Sequence, residues 1–330
     1  MSTCVPLALA CGDYDRTQGL RDGRVRPEGV ELTYIDLPVE EIFFRMARYQ
    51  EFDAAEMSLS SYVLSHFQGA PFVAIPVFPS RAFRHNGVYV SAASDIHEPA
   101  DLVGRTVGVP EYQMTAAVWI RGILAEHHDV PVPAVRYRTG GLHEPGRVEK
   151  LPIPQPPGVE IEPIRAEQTL AQMLVDGELD ALYSARTPWP FAEGHPAVRR
   201  MFSDPRGREE EYFARTGIFP IMHTVVLRRD VYEKRPWLAR SLYKAFEEAR
   251  SETAGRLTEM AALRYMLPWY YEEVERNHRL MGRDYWPYGL EANEATLRTF
   301  LRYSYEQGLA ERLLDPADLF ARETLDSYLI

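Results

Sequence analysis

Short apolar runs alternate with amphipathic segments along the first two thirds of the chain. The runs VELTYIDL (30–37), FDAAEMS (52–58) and FVAIPVF (72–78) have the length and apolar character of buried strands. The segments VEEIFFRMARYQ (39–50) and TAAVWIRGILAEHH (115–128) instead repeat apolar residues at helical spacing. This alternation predicts an α/β protein with parallel sheets, in which ligands bind at the carboxyl ends of the strands.

The alternation continues to a predicted strand at 218–230, where the chain returns to the first lobe. From Pro236 onward the pattern is almost entirely helical. Further strands are predicted at 87–91, 104–110, 135–141, 158–164 and 179–185, with a helix at 166–177. Five prolines between Pro145 and Pro157 predict a loop. The order of elements predicts two lobes that the chain joins twice. Lobe 1 comprises residues 1–88 and 226–330 with the helical C-terminal tail, lobe 2 comprises residues 89–225, and the ligand binds in the cleft between them.

The run VPLALACGDYDRT (5–17) has two incompatible interpretations. It fits the end of a lipoprotein signal at Cys11, and it also fits a first buried strand followed by a polar loop. The residues before Cys11 include no Lys or Arg, and Pro6 interrupts the apolar run. The run is also shorter than the ~20 apolar residues that span a bilayer. We therefore predict a strand, a cytoplasmic protein, and a loop that places Arg16 at the ligand cleft.

Charge and histidine spacing exclude several kinds of partner. The chain of 330 residues has a formal net charge of -11 and no dominant basic face, so we predict no nucleic acid partner. The N-terminal apolar run is too short to span a bilayer, so we predict no membrane partner either. Any anionic ligand must be bound by local cations. The histidine cluster EHHD (126–129) has adjacent histidines, which diverge by about 100° on a helix, so we predict no metal site.

Four stretches resemble the motif set of the 4,5-dihydroxyphthalate decarboxylase family: FDAAEMSLSSYV, FPSRAFRHNGVYV, GRTVGVPEYQMTAAVWIRGIL and LDALYSARTPWPF. The resemblance runs from CGDYDRT through the helical tail, so it covers nearly the whole chain. It implies a two-lobed fold like that of the type II periplasmic binding proteins, in a protein that works in the cytoplasm. It also implies the loss of one ring carboxylate from 4,5-dihydroxyphthalate, which yields protocatechuate and carbon dioxide.

Such a reaction needs an acid near the ring carbon that loses carbon dioxide, an acceptor at the catechol end, and cations for the carboxylate that stays. The ring is its own electron sink, so we predict no cofactor. FPSRAFRHN (78–86) offers Arg81, Arg84 and His85, and arginine forks bind carboxylates bidentately. The alternative is a solvated loop whose arginines pair with surface acids.

A second group of substrate-binding candidates follows strand ends. VPEYQMTAA (109–117) places Tyr112, Gln113 and Thr115 between a strand and a helix. The free N–H groups at the start of that helix favour an anion, and Thr115 adds a hydroxyl; alternatively, Thr115 caps its own helix. Arg186 ends a strand of lobe 2 and faces the cleft in the expected fold.

Three residues are candidates for acid and base chemistry. Glu56 lies in an apolar strand, where a carboxylate is either paired with a neighbour or raised in pKa and able to accept a phenolic proton. His223, in FPIMHTVV, and His85 are competing proton donors, because a histidine titrates near neutrality. A lone histidine among apolar residues is also commonly a core residue, and the sequence does not choose between the two.

Two other functions fit the same residues. One is a non-catalytic cytoplasmic solute-binding protein for an aromatic or dicarboxylate ligand, and the other is a related decarboxylase for a similar hydroxylated aromatic acid. The acid and base residues fit catalysis on a small aromatic dicarboxylate but would also serve binding. The aromatic segment YMLPWYYEEVERNHRLMGRDYWPYG (265–289) predicts helix packing and subunit contact, so we expect a homo-oligomer.

Overall fold

The computed structural model describes residues 4–325. Its strands are β1 (Val5–Ala10), β2 (Val30–Ile35), β3 (Ala54–Ser58), β4 (Phe72–Ile75), β5 (Val88–Ser91), β6 (Thr106–Val109), β7 (Arg136–Thr139), β8 (Glu160–Pro163), β9 (Ala181–Tyr183), β10 (Val198–Arg200) and β11 (His223–Arg228). Its helices are α1 (Gln18–Arg21), α2 (Val39–Tyr49), α3 (Leu59–Ser65), α4 (Thr115–His127), α5 (Leu170–Val175), α6 (Trp189–Ala192), α7 (Pro205–Thr216), α8 (Arg229–Lys234), α9 (Trp237–Arg256), α10 (Tyr270–Met281) and α11 (Glu294–Glu306).

These elements form two compact units, each with its own sheet. The first contains residues 4–81, 213–298 and 314–325, and the second contains residues 82–212 and 299–313. The sequence pattern assigned 299–313 to lobe 1, but packing joins this segment to the second unit. The ring of Tyr303 lies 5.7 Å from that of Trp119, and Gln307 accepts a hydrogen bond from Arg121 at 2.8 Å. That the ligand binds between the lobes stays a prediction.

The sheet of the first unit has the strand order β2-β1-β3-β11-β4. β1 pairs in parallel with β2 and β3, whereas β11 runs antiparallel to both β3 and β4. All five residues of β3 are buried, as expected for a central strand that is covered on both faces. The carboxyl ends of β1 and β3 therefore meet the beginning of β11 at one edge of this sheet.

The sheet of the second unit has the strand order β10-β5-β9-β6-β7-β8. β9, β6, β7 and β8 are parallel, and β5 is antiparallel to β9 and β10. Helix α4 begins a few residues after β6, and its first ten residues are buried. This βαβ arrangement is the one that the apolar pattern predicts.

The N-terminal run folds as a strand, which confirms that interpretation of VPLALA. Cys11 follows β1 directly and is fully buried. The predicted loop around Pro145–Pro157 is also confirmed, because these residues form turns and irregular structure. Among residues 4–325, no helix is both long enough and apolar enough to cross a membrane.

The C-terminal part is less helical than predicted. Irregular segments at 257–269 and 282–290 separate α9, α10 and α11. The sequence contains the reasons, because Pro268 precedes α10 and Gly282 ends it with a φ of 85°, a conformation that favours glycine. β10, α6 and α7 were not predicted. β10 and α6 are only three and four residues long, too short to show a period, and α7 has few apolar residues.

Candidate functional site

A buried carboxylate, Glu56, is the centre of the candidate site in the first unit. It is 0% exposed, and both of its oxygens accept hydrogen bonds. Oε1 accepts from the hydroxyl of Tyr14 at 2.8 Å and from Nδ1 of His223 at 2.6 Å. Oε2 accepts from the N–H of Gly12 at 3.0 Å and from the thiol of Cys11 at 3.5 Å. Four donors thus converge on one side chain.

Strand register explains why Glu56 and His223 meet. In the antiparallel pair of β3 and β11, Val225 lies opposite Glu56, and His223 lies opposite Ser58. Side chains two residues apart on a strand share a face, so Glu56 and His223 are diagonal neighbours on one face of the sheet. The parallel pairing of β1 with β3 brings the loop after β1 to the same carboxylate.

These contacts keep Glu56 ionised. Burial by itself would raise the pKa of Glu56, but the hydrogen bond and charge of His223, with the Gly12 N–H and the Tyr14 hydroxyl, hold that pKa below its ordinary value. Burial, and then the negative charge of Glu56, raise the pKa of Tyr14 and of Cys11, so both groups remain protonated donors. Of the two interpretations of Glu56, this geometry favours the paired carboxylate over the phenolic base.

One ring nitrogen of His223, Nδ1, is hydrogen-bonded to Glu56, and the other, Nε2, is available to bind a ligand. Because the ionised Glu56 only accepts hydrogen bonds, Nδ1 must carry the proton of their shared bond. The ring of Phe43 meets the imidazole edge-on at 4.7 Å and limits its rotation. The side chain is 16% exposed, and Nε2 makes no hydrogen bond to any residue in 4–325. The imidazole is therefore oriented to present Nε2 to a ligand.

Arg16 supplies a cation beside this pair. Its guanidinium is stacked between the rings of Tyr14 and Trp286, 4.2 and 4.4 Å from their centroids. Nε donates to the carbonyl of Pro79 at 2.5 Å, and Nη1 donates to Asp15 at 3.0 Å. Nη2 has no partner within the described part of the chain. The side chain is 17% exposed, so Arg16 can use this nitrogen to bind an anion.

Arg81 lies in a different environment from the clamp that the sequence predicted. It is 7% exposed, and its terminal nitrogens donate to the carbonyls of Phe219, at 3.1 Å, and Pro287, at 2.8 Å, and to the side-chain oxygen of Asn293. Burial lowers the pKa of Arg81 to about 9. The guanidinium is used to hold neighbouring segments together, which favours a structural role.

We expect Arg81→Met to destabilise the first unit without weakening ligand binding. The substitution leaves buried acceptors without donors, and each such loss costs about 1–3 kcal/mol. Denaturant unfolding measures the change, and the exposed Arg21, replaced in the same way, is the control. Unchanged stability together with lost affinity for an aromatic dicarboxylate would restore the clamp interpretation.

Arg84, His85 and Arg186 belong to the second unit. His85 is buried, with its ring centroid 5.3 Å from Tyr212 and 5.6 Å from Phe202, so it is part of an aromatic cluster. Burial lowers the pKa of Arg84 to about 10. The side chain of Arg186 is exposed. His85 therefore has the surroundings of a packed histidine, which favours His223 as the proton donor.

The turn before α4 already holds a carboxylate. The N–H groups of Tyr112 and Gln113 donate to Glu149, which comes from the proline-rich loop. The hydroxyl of Tyr112 donates to the carbonyl of Gln307 at 3.2 Å. Thr115 is the first residue of α4, after Met114 at the cap position, so it does not cap the helix. The sequence predicted a ligand anion at this turn, but in this structure the N–H groups there bind an internal carboxyl group, that of Glu149.

Charge is concentrated next to this turn. Glu111 is buried and accepts hydrogen bonds from Arg147, at 2.6 and 2.8 Å, and from Lys150. The side chain of Gln113 donates to the carbonyl of Leu151 at 2.8 Å. These contacts fix the beginning of the proline-rich loop, so Glu149 is kept close to Glu111.

We expect Glu149→Gln to remove a pH dependence of stability. Burial, and then the charge of Glu111, raise the pKa of Glu149 from 4.5 to about 7. The native state therefore binds this proton more tightly than the unfolded state, so the contribution to stability is complete below pH 4.5 and is lost as the pH rises to about 7. The full loss is about 3 kcal/mol. Urea unfolding across this pH range measures it, with Glu144→Gln, on the exposed part of the same loop, as the control. Equal pH slopes in wild type and Glu149→Gln would contradict the expectation.

The described residues offer no obvious metal site. Between residues 4 and 325, no group of three or more His, Cys, Asp or Glu side chains is arranged to hold a metal ion. His127 and His128 do not form such a group; the ring of His127 lies 5.4 Å from Tyr212 and that of His128 lies 5.5 Å from Phe202.

The fold belongs to the class of periplasmic-binding-protein-like α/β folds. The structure is similar to the periplasmic aliphatic sulphonate binding protein SsuA from Escherichia coli, with a TM-score of 0.54 and 13% identity. The match covers 97% of this chain and 98% of that protein. Similarity at this level of identity shows the fold alone, and it confirms the predicted fold class. No family model matches the sequence.

Sequence similarity identifies the family within this class. The chain is 41% identical over 325 residues to the 4,5-dihydroxyphthalate decarboxylase of Comamonas testosteroni, with 98% of each protein covered. It is 42% identical over 208 residues to the 4,5-dihydroxyphthalate decarboxylase of Pseudomonas putida, covering 63% of this chain and 81% of that protein. The chain belongs to the 4,5-dihydroxyphthalate decarboxylase family, as the four motifs predicted.

Tyr14 and Trp286 were not predicted as site residues, and the contacts of Cys11 and Gly12 with Glu56 were not predicted either. Tyr14 could have been predicted as a site residue, because it lies close to Arg16 in the polar loop that follows the first strand. Trp286 was assigned to helix packing, but it lies in the irregular segment after α10. Nothing in its local sequence indicates that it stacks on Arg16.

Proposed function

We propose that this chain is an aromatic carboxy-lyase that converts 4,5-dihydroxyphthalate to protocatechuate and carbon dioxide. The observation that carries the proposal is the pair of Glu56 and His223, in which a buried carboxylate orients an imidazole whose Nε2 is available. Membership of the decarboxylase family supports the substrate class. The substrate is an aromatic dicarboxylate that brings its own electron sink, so the proposal includes no cofactor.

The chemistry requires a proton on the ring carbon that carries the departing carboxylate. Each ring hydroxyl is para to one carboxylate, so it can release electron density into the ring and become carbonyl-like as that carbon is protonated. The bond to the carboxylate then breaks, and its electron pair restores the aromatic ring and the hydroxyl, which keeps its proton throughout. One proton is consumed, and one carbon dioxide is released.

In this mechanism, protonated His223 donates the proton from Nε2, and Glu56 orients the ring and balances its charge. The free Nη2 of Arg16 is suited to bind the carboxylate that stays. Arg84, Tyr112, Gln113, Thr115 and Arg186 stay predictions as further substrate contacts.

Incubation of the purified protein with 4,5-dihydroxyphthalate tests the proposal. We expect the absorbance of protocatechuate to appear with an equal amount of carbon dioxide. Phthalate, which lacks the hydroxyls, is the matched control, and we expect it to bind without reacting. Binding of both compounds without turnover of either would favour the solute-binding function. Turnover of a different hydroxylated aromatic acid alone would favour a related decarboxylase.

We also propose that the protein works in the cytoplasm as a homo-oligomer. Large apolar side chains are exposed in the segment between α9 and α10, including those of Met266 and Trp269, and exposed groups of this kind favour subunit contact. The cytoplasm is the location that the resemblance to the 4,5-dihydroxyphthalate decarboxylase family implies. Light scattering and cell fractionation test the two statements separately.

A further inference from the structure

We infer that Tyr14 is a positioning residue that couples the acid–base pair to the substrate-binding cation. The inference rests on the proposed function and extends it to a residue that does not itself transfer a proton. The basis of the inference is that the Tyr14 side chain makes two contacts. Its hydroxyl donates a hydrogen bond to Glu56, and its ring stacks on the guanidinium of Arg16.

The first contact acts on the proton donor through Glu56. The Tyr14 hydroxyl and Nδ1 of His223 donate to the same carboxylate oxygen, Oε1, at 2.8 and 2.6 Å. A hydrogen bond to the ionised form of a carboxylate stabilises that form. Tyr14 therefore helps to keep Glu56 negative and its Oε1 in place, and the orientation of the imidazole depends on both.

The second contact acts on the cation. The guanidinium of Arg16 lies 4.2 Å from the centroid of Tyr14, and Trp286 covers it at 4.4 Å. Aromatic faces hold a guanidinium flat, so the plane of the Tyr14 ring sets the direction in which Nη2 points. Because the hydroxyl of the same ring is bound to Glu56, the orientation of the cation is tied to that of the acid–base pair.

The loop that carries Tyr14 is anchored independently of its hydroxyl. The N–H of Tyr14 donates to Oγ1 of Thr17 at 3.3 Å, and the N–H of Thr17 donates back to the Tyr14 carbonyl at 3.1 Å. The hydroxyl of Tyr34 donates to the carbonyl of Gly12 at 2.8 Å. A substitution that removes only the Tyr14 hydroxyl thus leaves the loop and the stacked ring in place.

Two variants test the acid–base pair and the orientation of the cation separately. Tyr14→Phe removes the hydroxyl and keeps the ring, so we expect kcat to fall about tenfold and KM to stay within about twofold. Loss of the hydrogen bond raises the pKa of Glu56, so the acidic limb of the kcat profile should move to higher pH. Trp286→Leu removes the aromatic ring that packs on the other face of the Arg16 guanidinium. We expect KM to rise about tenfold and the acidic limb of the kcat profile to stay where it is.

Tyr232→Phe is the matched control, because its hydroxyl also donates to a carboxylate, that of Glu323 at 2.9 Å. It should leave kcat, KM and the pH profile unchanged. Thermal unfolding of every variant separates a loss of stability from a loss of positioning. An unmoved pH profile in Tyr14→Phe, or a change in KM alone, would overturn the inference.

A readout that does not need turnover separates this inference from the proposed function. The Nδ1 proton of His223 should give a downfield NMR signal, as expected for a proton shared with a carboxylate, and Tyr14→Phe should shift that signal. If the wild type shows no decarboxylation but the signal shifts, the proposed function fails and the effect of Tyr14 on the Glu56–His223 pair stands. If the wild type is active and the signal is unchanged in Tyr14→Phe, the coupling fails alone.

Discussion

His223→Gln should lower kcat for 4,5-dihydroxyphthalate by about 10³-fold while affinity for phthalate changes little. General acid catalysis by a positioned side chain contributes about 10²–10⁴-fold, and glutamine has no acidic proton to give. Glutamine can still donate to Glu56, so the buried carboxylate keeps a partner and the fold is retained. Steady-state kinetics with calorimetric binding of phthalate measures the two effects separately.

His85→Gln is the informative comparison, since both histidines are candidates from the sequence. His85 is packed against Tyr212 and Phe202, so we expect this variant to lose stability and to keep most of its kcat. The reverse outcome, with His85→Gln inactive and His223→Gln active at equal stability, would move the proton donor to the second unit and refute the mechanism.

Arg16→Gln should raise KM and the dissociation constant of phthalate by about 10- to 100-fold. A hydrogen bond to a charged group contributes about 1.5–3 kcal/mol, and each 1.4 kcal/mol corresponds to about tenfold in binding. Glutamine keeps part of the polar contact with Pro79 and Asp15 but has no charge and no second terminal nitrogen. Calorimetry with phthalate gives the affinity, and urea unfolding gives the stability.

The control for Arg16 is Arg21→Gln, a few residues further along the same segment. Arg21 is exposed and pairs with Asp13 and Asp36, so its removal changes the local charge equally without touching the site. Both variants carry one positive charge less, and only Arg16→Gln should lose affinity. Equal affinity in all three proteins would remove Arg16 from the ligand site, and equal losses would assign the effect to general electrostatics.

Local pattern was sufficient for the fold class and for many of the strands and helices. β1, β3, α2 and α4 are each specified by the spacing of apolar residues within one segment, and this spacing can be read without knowledge of any neighbour. The four motifs indicated the family, because they are short stretches of local sequence that can be compared without tertiary information. The C-terminal region was predicted less well, since an amphipathic or aromatic pattern does not distinguish a helix from an irregular segment that packs on a helix.

The choice among similar residues required the tertiary structure. Arg16 and Arg81 are both loop arginines near strand ends, and only their surroundings separate an available Nη2 from a guanidinium whose terminal nitrogens donate to internal carbonyls and to Asn293. From the sequence, the N–H groups of Tyr112 and Gln113 were available to bind a ligand. In the structure both donate hydrogen bonds to Glu149. Burial and hydrogen-bond partners depend on contacts between distant segments, and sequence position does not encode them directly.

The sequence by itself thus determined the α/β class, the family, and the candidacy of Glu56 and His223 as separate residues. Their pairing was decided only by the fold, because they are 167 positions apart and meet through the antiparallel register of β3 and β11. A strand shifted by one residue would turn His223 to the opposite face of the sheet. The acid–base pair is therefore a property of strand register, which long-range packing sets and local sequence does not.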